Sequence, residues 1–229
     1  MIRENYLRLR SEIPDYVKIV LAAKMRTKEE IEEAISAGGE IIGENYVQEA
    51  EKMYRELEGK ARQLEWHLIS TLQKNKINRA LRIFDCIQSV DSVELAGAIN
   101  KRAEKLDKKI SVFIEINISS EITKAGVEPE YEVVETLAKN ISQMNYLKLE
   151  GLMTVGPRGG NPEELRPYVR KTKEIFERLK SKSIPNVELR YLSMGMSSSY
   201  RVAIEEGANM VRLGTIIFGE RACDLNKGG

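Results

Sequence analysis

Residues 17–24 read VKIVLAAK, a short β-rich run that ends in a lysine. Val, Ile and Leu fill its centre, and its length is typical of a buried strand rather than of a helix. Thr27 follows, with Glu30 three residues later, which is the spacing of a capping box at a helix start. The helical pattern then stops at Gly38 and Gly39. This stretch therefore predicts one strand–helix unit.

The same alternation of β-rich runs and amphipathic stretches continues along the whole chain. The β-rich runs lie near residues 17–23, 40–43, 65–70, 84–89, 110–118, 147–155, 187–194 and 210–213. Strands separated by helices pair in parallel through right-handed crossovers. Eight such units without a linker favour a closed (β/α)8 barrel of the TIM type over an open doubly wound sheet. We expect one α/β domain over residues 1–229, with an extra helix near residues 1–11.

The bulk composition argues against several classes of function. Lys and Arg total 36 and Asp and Glu total 35, so no net field attracts nucleic acid or an anionic membrane. A single histidine, His67, argues against a zinc site and a Ser-His-Asp triad. The two separated cysteines, Cys86 and Cys223, fit a reducing compartment. With no signal peptide and no segment of membrane-spanning length, we expect a cytoplasmic protein.

In a parallel barrel the reactive groups lie at the carboxyl ends of the strands. Lys24 ends the first strand after an apolar run. Desolvation there would favour an uncharged amine that forms an imine with a carbonyl compound. The alternative is a lysine that only extends to solvent at the barrel rim, and position alone favours neither interpretation.

The last two strands lead into a predicted phosphate cup, formed by residues 193–197 and 214–215. Ser193 and Ser197 flank a turn that enters a helix, where free backbone N–H groups and a hydroxyl favour an anion. Gly214 and Thr215 follow the eighth strand and offer a close backbone approach and another hydroxyl. Barrel phosphate sites are common after strands seven and eight, which favours a phosphate over a plain helix cap and tight turn.

Four other side chains lie near this end of the barrel, and three of them, Arg212, Asn45 and Met194, have two interpretations. Arg212 lies just below the cup, as a hydrogen-bond donor to a ring nitrogen or as a salt-bridged barrel arginine. Asn45 contacts a ligand or caps the helix that it precedes. His67 is expected to support the site from behind. Met194 packs against an aromatic ring or simply fills the core.

With these motifs in this order, the chain resembles the pyridoxal phosphate homeostasis proteins, also called proline-synthetase co-transcribed proteins. That family is similar to the N-terminal barrel of alanine racemase. The resemblance runs from about Ile19 to Arg221. The motifs are LAAK at 21–24, GENYVQE at 43–49, WHLI at 66–69, LQKNK at 72–76, NIS at 117–119, GLM at 151–153, LSMGMS at 192–197, VRLGT at 211–215 and FGER at 218–221.

The resemblance implies an alanine-racemase-like barrel (PLP fold type III) that binds pyridoxal 5′-phosphate (PLP). It implies these contacts: the imine on Lys24, the phosphate at Ser193, Ser197, Gly214 and Thr215, the ring nitrogen at Arg212, and the ring near Asn45. Lys124 aligns with a loop lysine that contacts the ligand or accepts it secondarily. An arginine at the ring nitrogen leaves it unprotonated, which makes the ring a poorer electron sink than a carboxylate-paired pyridinium.

Three functions fit these residues. The resemblance implies a non-catalytic protein of intracellular PLP (vitamin B6) homeostasis, which holds the cofactor and supplies it to apo-enzymes or buffers it. A PLP-dependent amino-acid racemase needs a second base, which a tyrosine of an additional domain supplies in alanine racemase. A Schiff-base lyase or aldolase on a phosphorylated substrate needs a proton shuttle, and no carboxylate at a strand end suggests itself. We expect PLP and apo PLP-dependent enzymes as partners, and a monomer or weak dimer.

Overall fold

The computed structural model describes residues 1–118, 125–156 and 161–220. In these residues eight parallel strands pair in chain order, and the eighth closes onto the first. The strands are β1 Lys18–Ala22, β2 Ile41–Glu44, β3 Glu65–Leu68, β4 Cys86–Val90, β5 Ile110–Ile116, β6 Leu147–Thr154, β7 Val187–Ser193 and β8 Met210–Leu213. The predicted (β/α)8 barrel is confirmed.

Helices form the outer layer around this barrel. They are α1 Ile2–Glu12, α2 Lys28–Ser36, α3 Val47–Glu56, α4 Ile77–Ala80, α5 Val93–Glu104, α6 Tyr131–Ile141, α7 Arg166–Ser181, α8 Tyr200–Glu205 and α9 Thr215–Phe218. The predicted extra helix is α1, and the Tyr6 hydroxyl ties it to the fold by donating to the Gly38 carbonyl at 3.0 Å. The predicted capping box at Thr27 and Glu30 opens α2. None of the helices within the described ranges could cross a membrane.

Two helix starts beside the site differ from the sequence prediction. The helix after β2 begins at Val47 rather than near Asn45, and the helix after β7 begins at Tyr200 rather than near Ser197. A turn occupies the space before Tyr200, because Gly195 adopts a φ of +92°. A Cβ at Gly195 would lie 2.7 Å from the Cβ of Ala203, so the turn packs too closely for another residue.

The apolar residues form two separate clusters on the two sides of the sheet. The larger cluster lies between the strands and the helices. The smaller one fills the barrel interior and consists of Val20, Ile41, Cys86, Phe113, Met153 and Met210. Side chains alternate between the two faces along a strand. Residues two or four positions beyond these interior residues therefore face the interior at the carboxyl end of the barrel, which we call the mouth.

Candidate functional site

Lys24 follows β1 at the carboxyl end of the barrel, in the turn before α2. It is half-buried, and its Nζ lies 5.2 Å from the centroid of the Tyr46 ring. The face of an aromatic ring attracts a cation. The amine is therefore held at the mouth by an aromatic contact, and not sealed in an apolar environment as the sequence suggested. The sequence motif that contains Tyr46 was visible, but its contact with Lys24 was not.

Asn45 follows β2 and is half-buried at the mouth, in phase with Ile41 and Gly43. It does not cap the following helix, because Tyr46 holds the cap position and no side-chain cap hydrogen bond forms there. The helix-cap interpretation of Asn45 is therefore wrong. Below Asn45, the strands β1 and β2 pack closely at Gly43, since a Cβ at this position would lie 2.6 Å from Cγ1 of Val20.

The two halves of the predicted phosphate cup meet in the structure. The Ser197 hydroxyl oxygen accepts hydrogen bonds from the backbone N–H groups of Gly214, at 3.2 Å, and Ile216, at 3.3 Å. Thr215 is exposed at the first position of α9, beside this contact. Gly214 also packs against β1, since a Cβ there would lie 3.4 Å from the Cβ of Ala22. The cup therefore borders the strand that ends in Lys24.

Ser193 is placed differently from the prediction. It is the last residue of β7, its side chain is fully buried, and its hydroxyl donates to Oε1 of Gln88 at 2.7 Å. The same oxygen accepts a hydrogen bond from Nη1 of Arg212 at 2.7 Å. The hydroxyl is thus committed inside the barrel. Ser193 therefore contacts Arg212 and Gln88 and does not share the Ser197 contact with Gly214 and Ile216.

Arg212 lies on the inner face of β8 and is buried. Its Nη1 also donates to the carbonyl of Ser193 at 2.9 Å, and its Nη2 donates to the carbonyl of Thr154 at 2.8 Å. These partners are carbonyls and a hydroxyl, so the interpretation as a salt-bridged arginine is wrong for the contacts that the structure describes. Burial lowers the pKa of Arg212 to about 10, against the opposing charge of Glu115. The guanidinium therefore remains a cation at neutral pH.

Glu115 is a residue of the mouth that the sequence interpretation missed. It lies on β5 two residues beyond Phe113, is 7% exposed, and its Oε2 has no hydrogen-bond partner among the residues described. Burial and the charge of Asp91 raise the pKa of Glu115 to about 7, while Arg212 acts in the opposite direction. The alternation along β5 could have revealed its inward position. A carboxyl group therefore does lie near the end of a strand, where the sequence interpretation found none.

Of the remaining predicted residues, one lies behind Arg212, one lies in the core between strands and helices, and one is outside the described residues. His67 is buried on β3 and hydrogen-bonds to Glu65 and Gln88 behind Arg212. Met194 is fully buried in the cluster between strands and helices, so it fills the core and does not face the mouth. Lys124 lies outside the described residues, and its role stays a prediction.

With the site in place, comparison with known proteins identifies the family. The model of the family "Alanine racemase, N-terminal domain" matches residues 1–222. A protein of Aquifex aeolicus named pyridoxal phosphate homeostasis protein is 44% identical over 204 residues, which cover 89% of this chain and 87% of that protein. A protein of the same name from Haemophilus influenzae is 38% identical over 205 residues, covering 90% of this chain and 85% of its own.

Solved structures of related proteins support the same family. The structure of PipY from Synechococcus elongatus with PLP bound has 33% sequence identity and a TM-score of 0.86, and the match covers 96% of this chain and all of that one. An alanine racemase of Clostridium difficile has 17% identity and a TM-score of 0.79 over 96% of this chain and 56% of its own, which shows the shared fold. The chain therefore belongs to the alanine racemase N-terminal domain family and, within it, to the pyridoxal phosphate homeostasis proteins.

Proposed function

We propose that this protein binds PLP as an imine on Lys24 and serves PLP homeostasis, holding the cofactor and supplying it to apo-enzymes or buffering it. One observation carries this proposal. Gly214 of the phosphate cup packs against Ala22, and Lys24 follows two residues later. A ligand with an aldehyde and a phosphate ester on neighbouring carbons of one ring can therefore reach both groups. PLP has this arrangement, and PLP is what the solved relative PipY is stated to bind.

The residues present fit this cofactor. PLP would supply the aldehyde that joins the Lys24 amine and a ring able to withdraw electrons. The Ser197 hydroxyl lies against the first turn of α9, where it accepts from the backbone N–H groups of Gly214 and Ile216, and the start of a helix favours an anion. The hydroxyl of Thr215 is exposed at the same place. We assign the phosphate to Ser197, Gly214 and Thr215. Ser193 is left out, because its hydroxyl contacts Gln88 and Arg212.

Arg212 supports a role in holding the cofactor rather than using it. Three of its five donor hydrogens go to Ser193 and Thr154, which leaves two that no described residue takes. A guanidinium has no acceptor, so a ring nitrogen that it contacts must accept and stay unprotonated. Such a ring withdraws electrons weakly. We infer a non-catalytic protein, in keeping with the names of its relatives, and place it in the cytoplasm because its cysteines fit a reducing compartment.

Glu115 favours a second candidate, a Schiff-base lyase or aldolase that acts on a phosphorylated carbonyl compound without PLP. A carboxyl group with a pKa of about 7 in the mouth is suited to general acid–base catalysis near neutral pH. The Lys24 amine and the phosphate cup would serve that chemistry equally well. The two candidates differ in spectrum, since bound PLP absorbs in the near-violet and the imine of a sugar does not.

The test is the absorption spectrum of purified protein after incubation with PLP and gel filtration, for wild type, Lys24→Ala and Lys18→Ala. Lys18 lies on the same strand at the opposite end of the barrel, which makes it a matched control. Wild type and Lys18→Ala are expected to retain the near-violet band, and Lys24→Ala to lose it. Equal retention by the Lys24 variant would contradict the proposal.

A further inference from the structure

A continuous chain of side-chain hydrogen bonds crosses the interior of the barrel behind Arg212. Nη1 of Arg212 lies 2.7 Å from Oγ of Ser193, which lies 2.7 Å from Oε1 of Gln88. Nε2 of Gln88 lies 2.7 Å from Nδ1 of His67, whose Nε2 lies 2.7 Å from Oε1 of Glu65. Arg212 and Ser193 belong to the neighbouring strands β8 and β7, and Gln88 and His67 to β4 and β3. The Ser193–Gln88 bond therefore spans the lumen.

The two ends of this chain fix the direction of every hydrogen bond in it. A guanidinium only donates, so the Ser193 oxygen accepts from it and passes its own hydrogen to Gln88. The Gln88 amide then presents its NH2 group to Nδ1 of His67, which must be the acceptor, and Nε2 carries the hydrogen that goes to Glu65. The hydrogen bond from His67 lowers the pKa of Glu65, which keeps that carboxylate an acceptor.

A second contact of Gln88 supports this orientation of its amide. Nε2 of Gln88 also lies 3.3 Å from the sulfur of Met210, a weak acceptor. Met210 and Arg212 lie two positions apart on β8 and are successive residues of its inner face. Gln88 thus contacts Met210 of β8 through its NH2 group, and Ser193, the partner of Arg212, through its carbonyl oxygen. Gln88 and Ser193 are fully buried and His67 is 1% exposed, so water does not compete for these bonds.

We propose that Gln88 and His67 are positioning residues for Arg212. His67 orients the Gln88 amide, and the Gln88 carbonyl oxygen accepts the hydrogen of the Ser193 hydroxyl. The Ser193 oxygen is then left as an acceptor for Nη1 of Arg212, which holds the guanidinium so that its two remaining donors face the mouth. This inference rests on the proposed role of Arg212 at the cofactor ring. It assigns a purpose to three buried polar residues that the phosphate cup and Lys24 leave unexplained.

The first arm of the test uses the protein without PLP. His67 is the single histidine of the chain, so selective 15N-histidine labelling gives one pair of ring signals. We expect the neutral tautomer with hydrogen on Nε2, and a change in the Nδ1 signal in Arg212→Met and in Ser193→Ala. The exposed variant Lys101→Met is the control. Hydrogen on Nδ1, or signals that do not respond to Arg212→Met, would overturn the inference whether or not PLP binds.

The second arm measures the bound cofactor in Gln88→Met, His67→Leu and His67→Asn. Gln88→Met keeps the length of the side chain but removes the hydrogen bonds to Ser193 and His67, and His67→Leu removes the acceptor. His67→Asn retains an acceptor near the position of Nδ1. We expect the first two to change the ratio of the two absorption bands of bound PLP by about two- to tenfold, the range for one hydrogen bond, and His67→Asn to restore the wild-type ratio.

The amount of borohydride-fixed PLP should stay close to that of wild type in all three variants, because Lys24 and the phosphate cup are untouched. Band ratios identical to wild type in both Gln88→Met and His67→Leu, with only a loss of thermal stability, would show a purely structural chain and overturn the inference. Absence of bound PLP in wild type would contradict the proposed function instead, and the nitrogen signals of His67 would still decide whether the chain couples to Arg212.

Discussion

Glu44, at the end of β2, makes the stability of the fold depend on pH. Its side chain faces the helices, it is 1% exposed, and its Oε2 has no hydrogen-bond partner among the described residues. Burial raises the pKa of Glu44 from its ordinary value of 4.5 to about 8; the charge of Glu49 adds to this, and a hydrogen bond from the backbone of Asn45 partly offsets it. At neutral pH the buried carboxyl group is therefore mostly protonated.

The sign and size of the effect follow from linkage. Between pH 4.5 and 8 the folded chain keeps a proton on Glu44 that the unfolded chain has released, so the free energy of unfolding falls as the pH rises through that window. Each tenfold difference in proton affinity corresponds to about 1.4 kcal/mol, which gives an upper bound of about 5 kcal/mol. Glu115, with a pKa raised to about 7, acts in the same direction over a narrower window.

The assay is urea unfolding of the protein without ligand at several pH values from about 5 to 9. Glu44→Gln should resemble wild type within about 1 kcal/mol at the acid end, because the amide mimics the protonated acid. At the alkaline end the variant should be more stable by several kcal/mol, since it cannot ionise. Glu104→Gln, an exposed glutamate of α5, is the control. A stability difference that stays constant with pH would refute the reasoning.

Three further predictions concern the site. Ser197→Ala removes the acceptor of two backbone N–H groups and should weaken PLP retention, measured by equilibrium dialysis, by about tenfold; unchanged retention would remove Ser197 from the phosphate cup. Arg212→Ala should alter the spectrum of bound PLP more than its retention, because the phosphate carries most of the anchoring; the reverse order would contradict the assignment. Pure protein should racemise L- or D-alanine negligibly in a chiral assay, and robust turnover would contradict a non-catalytic role.

The sequence predicted the barrel because its strand signals are local and repeat. The VKIVLAAK run and its capping box each form as expected. The alternation of residues predicts an inward position for Lys24, Asn45 and Arg212, and the contacts of Arg212 with Ser193 agree with it. The single domain over residues 1–229 stays a prediction.

The phosphate assignment of Ser193 came from an uncertain strand boundary. The direction of a side chain near a strand end depends on whether the residue still belongs to the strand. Ser193 and Ser197 lie four residues apart in one motif, but Ser193 still belongs to β7 and points into the barrel, whereas Ser197 lies in the turn beyond it. Which serine meets an anion cannot be read without that boundary, because strand ends are uncertain by a few residues in sequence.

Glu115 and Glu44 were missed for a different reason. Glu115 is a charged residue inside an apolar strand and Glu44 is a charged residue at the end of one, and such a residue usually marks a solvent-facing position. In a parallel barrel both faces of the strands are covered, so each carboxyl group becomes buried: Glu115 in the mouth and Glu44 under the helices. Only the closed sheet shows that both are largely buried.

The central claim concerns one covalent bond at Lys24. Wild-type protein loaded with PLP, reduced with borohydride and digested, should give a single peptide that carries the reduced cofactor, and fragmentation should place it on Lys24. The same modification mapped to another lysine, with the Lys24 peptide unmodified, would contradict the account.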